Sequence, residues 1–183
     1  MPADLGRSML LLARHAIADR LGVAHAAEPA AHPDLAQRGA VFVTLTKNGE
    51  LRGCIGSLQA WRPLRDDVVA NAQAAAFKDP RFEALKAEEL PGIRVEVSLL
   101  TAAQIMTYSS EADAVAQLRP RVDGVILEYG KHCGTFLPQV WESMPEPRQF
   151  MAQLKRKVGL PPDFWSDEVK LSRYQVEKWK EQT

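Results

Sequence analysis

The stretch 40-AVFVTLTKNGELRGCIGS-57 decides the fold. Two β-prone runs flank Asn48-Gly49, a strong hairpin signal, because a type I′ turn needs positive φ at both central residues. A two-residue loop sets Lys47 opposite Glu50, Leu45 opposite Arg52 and Val43 opposite Cys54. Period-two geometry then puts Val41, Val43, Leu45, Arg52, Cys54 and Gly56 on one side, with Phe42, Thr44, Leu51, Gly53 and Ile55 on the other. The second arm carries two glycines around a cysteine, although glycine inside a strand costs roughly 0.5–1 kcal/mol against alanine. Such glycines let another backbone or a small ligand approach the strand closely.

Upstream, Leu10, Arg14, Ile17 and Leu21 recur at helical spacing over residues 7–21, and Gly22 stops that helix. An Ala/Pro-rich connector over about 23–38 follows, read as a surface loop or a flap. Downstream, a helix starts near Pro63 with Leu64, Val68, Ala72 and Ala75 as its inner stripe. Its second half, ANAQAAAF, is narrow enough for another element to come close. FKDPRF ends it, because Asp79 before Pro80 is pushed out of the α region. A short helix through KAEEL precedes the alternating strand IRVEVSLL. Ser110 with Asp113 resembles a capping box that opens a helix through Leu118. VILEY and TFLP read as strands around YGKHCG. Phe150, Leu154 and Val158 form the inner face of a last helix that Gly159 terminates. EVKLSRYQVEKW reads as one closing strand. Hairpins dominate and no regular βαβ alternation is present, which points to an α+β fold with a mostly antiparallel sheet.

The chain has 183 residues with 23 basic and 23 acidic side chains. That length suits one domain, or one domain with two lobes. The charge balance gives no electrostatic argument for nucleic acid as a partner. No apolar run approaches the roughly 18 residues of a membrane span, and the N-terminal apolar cluster is interrupted by charge too early for a secretory signal. Two cysteines allow one disulfide at most, so a reducing cytoplasm is the expected compartment. Four histidines without HxxxH or CxxC spacing do not suggest a zinc site. No phosphate loop, dinucleotide fingerprint or GxSxG elbow is present, so the cofactor is left unknown.

Cys54 is the sharpest chemical candidate. A cation beside it favours the thiolate, and Arg52 lies two residues away. The same cysteine on a face with Val41, Val43 and Leu45 also reads as a core residue. Arg52 on an apolar face needs an anion: an internal carboxylate such as Glu96, or a ligand carboxylate or phosphate. Asp79 and Arg81 flank Pro80, either as a local turn or as a rigid loop aiming charge into a cleft. His132 is a candidate general base beside a hairpin turn.

LRGCIGSL, AFKDPRF, LPGIRVEVSLLT and DGVILEYGKHCGTFLPQVWE, in that order, closely resemble the AMMECR-type family, whose bacterial and archaeal members are also called AmmeMemoRadiSam system protein A. The resemblance runs from about residue 7 to the end. It implies a single domain of two lobes, larger and smaller, with a cleft between them. It also implies company: a Memo-type protein and a radical-SAM protein. The family signature falls on Arg52, Gly53, Cys54, Ile55 and Gly56, then on Asp79, Arg81 and Phe82, then on Glu96 and Ser98, and finally on 135–138. Two functions stay open. One is an enzyme or small-molecule binder, with Cys54 and His132 catalytic and Arg52, Gly53, Gly56, Asp79, Arg81 and Glu96 around a small anionic ligand. The other is a non-catalytic adaptor of the two partners, with RGCIG structural.

Overall fold

In a computed structural model the chain is described over residues 2–26 and 32–182. It divides into two compact units, Met1–Leu100 with Glu177–Thr183, and Thr101–Val176. Each unit has its own four-stranded sheet. The α+β expectation holds, but the strands make two sheets where the sequence suggested one.

The first unit contains α1 (Pro2–Leu21), β1 (Val41–Lys47), β2 (Glu50–Gly56), α2 (Leu64–Phe77), β3 (Ile93–Leu100) and the closing strand β8 (Val176–Lys180). Its sheet order is β2-β1-β3-β8. Asn48 and Gly49 both have positive φ, 53° and 79°, as the type I′ turn requires. Val41, Val43 and Leu45 of β1, with Val95 and Val97 of β3, have no exposed surface and pack with α1 and α2 residues in one apolar cluster. The Asp67 carboxylate ties α2 to the sheet. It accepts the Val41 N–H at 2.8 Å, the Ser57 hydroxyl at 2.6 Å and the Arg62 Nε–H at 2.7 Å. A wholly buried carboxylate is tolerated because each oxygen is so occupied. Part of the 23–38 connector forms a 3-10 turn, Pro33–Ala36, anchored by buried Leu35; residues 27–31 lie outside the described ones.

The second unit contains β4 (Gln104–Ile105), α3 (Glu111–Gln117), β5 (Gly124–Tyr129), β6 (His132–Phe136), α4 (Pro147–Lys157) and β7 (Lys170–Tyr174), in the sheet order β4-β7-β5-β6. Ser110 caps α3 by accepting the Asp113 N–H at 3.1 Å. Trp141 and Phe150 stack at 3.8 Å in the core. The expected single closing strand is two. The chain breaks at Gln175, so that 170–174 joins the second sheet and 176–180 returns to the first. Trp179 packs into the first core, and a Cβ on Gly6 of α1 would meet its ring at 2.2 Å.

Candidate functional site

The β1–β2 hairpin departs from the simple register. Lys47 pairs with Glu50 and Thr46 with Leu51, but Leu45 then pairs with Gly53 and Thr44 with Cys54. Arg52 is the extra residue of a β-bulge. One added residue reverses the alternation beyond it. Gly53 and Ile55 therefore join Val43 and Leu45 on the helix-covered face. Cys54 and Gly56 move to the opposite face, with Thr44 and Phe42. The expected grouping of Arg52 and Cys54 with Val43 and Leu45 is corrected on this point: Cys54 is not a core residue.

On that outer face Cys54, Thr44 and Glu96 form one row across three strands, because Thr44 also pairs with Glu96 of β3. The Cys54 Sγ lies 3.3 Å from the Thr44 hydroxyl oxygen. All three residues are half-buried. Among the described residues the Glu96 side chain makes no hydrogen bond or ion pair. Thr44 escaped the sequence reading because the unshifted register paired Cys54 with Val43.

The backbone of Cys54 is held from the sheet edge. The buried Asp79 carboxylate accepts the Cys54 N–H at 3.0 Å, and the Arg81 guanidinium donates to the Cys54 carbonyl at 3.4 Å. Arg81 also grips Asp79 through Nε at 3.0 Å and Nη2 at 2.7 Å. These bonds hold the Asp79 carboxyl far below the usual carboxylate range, with the Arg81 side chain as the main cause, burial opposing it and the Cys54 amide adding to it. The pair satisfies an edge residue's donor and acceptor as a neighbouring strand would.

The glycines have separate reasons. A Cβ on Gly53 would sit 2.1 Å from the Ala75 carbonyl oxygen of α2, so the narrow alanine face of that helix rests on the strand backbone. A Cβ on Gly56 would meet the Phe42 ring at 2.2 Å. Arg52 does turn to an internal carboxylate, but it is Glu89 and not the Glu96 suggested, with Nε and Nη2 donating at 3.2 Å each. Lys47 joins them at 3.1 Å, and the Lys86 N–H donates to the same carboxylate at 2.9 Å. Glu89 is thereby held down to about 2, chiefly by Arg52. The Arg52 and Arg81 guanidinium carbons lie 5.8 and 5.5 Å from the Phe82 ring centre. Arg52 Nη1 is buried and has no hydrogen-bond partner among the described residues.

His132 belongs to the second unit. Its Nδ1–H donates to the Val158 carbonyl at 2.6 Å, since a carbonyl can only accept, and this ties β6 to the end of α4. Its ring stacks with Tyr129 at 6.5 Å. Cys133 is exposed, and its thiol is pushed up by desolvation and by Glu128 opposite it. Among the described residues no group of three or more His, Cys, Asp or Glu could hold a metal ion, and no helix is long and apolar enough to cross a membrane.

These features define a two-unit α+β protein with antiparallel sheets and a half-buried thiol on a polar sheet face. The chain belongs to the AMMECR1 family, whose model matches residues 10–179. A protein of Methanothermobacter thermautotrophicus is 41% identical over 97% of this chain and 95% of its own length. One from Thermococcus onnurineus is 36% identical over 98% and 91%. The crystal structure of an uncharacterized protein from Pyrococcus horikoshii superposes with a TM-score of 0.86 at 32% identity, covering 98% of this chain and 92% of that one.

Proposed function

We propose that this protein binds a small molecule on the outer face of the first sheet and acts on it through the Cys54 thiol. Thr44 fixes the thiol, and the Glu96 carboxylate receives a proton or a donor group of the ligand. Asp79 and Arg81 position the Cys54 backbone. The Memo-type and radical-SAM proteins implied by the family are its partners in this reading. The observation that carries it is the Cys54–Thr44 contact at 3.3 Å in one row with a carboxylate that has no side-chain partner among the described residues.

The test is alkylation of the native protein by iodoacetamide, followed residue by residue with mass spectrometry across pH. Cys54 is expected to react in the folded state, and a Cys54→Ser variant to lose that adduct while keeping the one on Cys133. Reaction of Cys54 only after unfolding sinks the proposal. The adaptor reading would then lead, and the packing roles of Gly53 and Gly56 already favour it.

A further inference from the structure

The connector over 23–38 begins with a fold-back onto α1. Gly22 adopts φ 67°. The Gly22 N–H donates to the Asp19 carbonyl at 3.2 Å, and the Val23 N–H to the Ala18 carbonyl at 3.0 Å. These bonds close the C-terminus of α1 and turn the chain back along its last turns. Val23 packs against the first core. His25 then lies on the helix. Its ring stacks on that of His15, with centroids 4.2 Å apart and planes inclined by 23°. His15 itself is only 5% exposed.

Both nitrogens of the His25 ring face oxygen. Nε2 is 2.6 Å from Asp19 Oδ1, and Nδ1 is 2.7 Å from the Ala26 carbonyl oxygen. A carboxylate and a carbonyl only accept, so each nitrogen carries a hydrogen. A neutral imidazole has one N–H, so the ring held by these two contacts is an imidazolium. Its setting suits that charge. Asp19 supplies the opposite sign, and the end of α1 supplies the negative end of the helix dipole. His15, buried and stacked on a cation, favours its neutral form. The other charged groups of this corner are Arg62, Arg65 and Asp66 of α2, which line a cleft together with Asp19. Arg20 turns to the Phe77 ring. Glu28 follows in the chain, outside the described residues.

We propose that His25 is a pH-operated latch, which fastens the start of the connector to α1 while its ring is doubly protonated. Loss of one proton leaves a lone pair facing an oxygen, and one of the two contacts must open. The charge-assisted bond to Asp19 is the stronger. The Ala26 carbonyl is therefore released, and the connector loosens from that point. Closure is present on the acid side of the His25 titration and is lost as pH rises through it. This device is independent of the reading of Cys54.

Two measurements on the intact native protein test it. Side-chain nitrogen NMR follows His15 and His25 separately across pH. The His25 midpoint is expected at higher pH than in an Asp19→Asn variant. Hydrogen exchange over residues 22–26, with each rate divided by that of the unfolded chain at the same pH, reads the latch itself. Protection is expected to fall about tenfold across the His25 titration. His25→Phe keeps the stack on His15 but removes both donors, so it should show low protection at every pH and no step. Glu28→Gln should leave the step in place. Each variant is checked for an unchanged melting temperature. Protection that stays constant across the titration would overturn the proposal. So would a His25 midpoint no higher than in Asp19→Asn, or a step that vanishes in Glu28→Gln and persists unmoved in Asp19→Asn.

Discussion

The two hairpins of this protein invite comparison. Both close through two residues, Asn48-Gly49 in one and Gly130-Lys131 in the other, and both carry a cysteine next to glycine on the returning arm. In β5–β6 the register is regular from Tyr129 opposite His132 to Val125 opposite Phe136, and Cys133 stays where simple counting puts it. In β1–β2 one extra residue, Arg52, shifts everything beyond it. That residue sends its own side chain to Glu89 and Cys54 to the polar face. A single inserted residue thus decides whether a thiol is core or site, without any change in the residues that form the turn.

The glycines offer the hardest way to break the comparison. Gly53→Ala drives a methyl into a backbone carbonyl that cannot rotate away, whereas Gly134→Ala meets only a Val158 methyl at 2.7 Å. Urea denaturation is expected to show a loss of about 3 kcal/mol for the first and about 1 kcal/mol for the second. Equal losses would show that α2 moves off the strand. Next in size, Asp79→Asn removes charge-assisted bonds to Arg81 and weakens the anchor on the Cys54 N–H, costing about 2 kcal/mol. The same variant should raise hydrogen exchange at the Cys54 amide, while exchange in β5 and β6 stays as in the parent.

The ion pairs of the bulge give a pH signature. The Glu89 carboxyl is held down to about 2 when folded and titrates near about 4.3 when unfolded. A depressed carboxyl contributes its stability fully above the unfolded value and loses it as pH falls through the folded one. Glu89→Gln should therefore be destabilised by about 1 kcal/mol at pH 7. The gap should narrow below about pH 4 and close near pH 2. A gap independent of pH would mean that Glu89 acts through packing alone. The smallest effect is expected at Thr44→Val, which keeps shape but removes the hydroxyl on Cys54. It should change the alkylation rate of Cys54 several-fold and leave that of Cys133 untouched.

Much of this was legible in the chain. Alternation over 41–47 and 93–100 marks strands because a half-buried strand must put every second side chain in the core. The Asn-Gly turn, the Ser110 cap and the Gly159 stop are local chemistry, settled within a few residues. The narrow ANAQAAAF face foretold a close approach, and Gly53 makes it. The bulge was not legible, since nothing local distinguishes an arginine in a strand from an extra residue between two pairs. The partner of Arg52 was missed for a related reason. Glu89 lies 37 residues away on a 3-10 turn, and sequence distance gives no hint of it.

The sequence by itself determined the family, the α+β class and the hairpins, because these follow from periodicity, turn residues and motifs that act over short range. The tertiary structure decided which face Cys54 occupies, that Thr44 stands beside it with Glu96 one strand further along the row, and that Arg52 serves Glu89. It also decided that the last strand divides at Gln175 between two sheets. Those outcomes depend on strand register and on contacts between residues far apart in the chain, where one added residue moves every side chain beyond it to the opposite face.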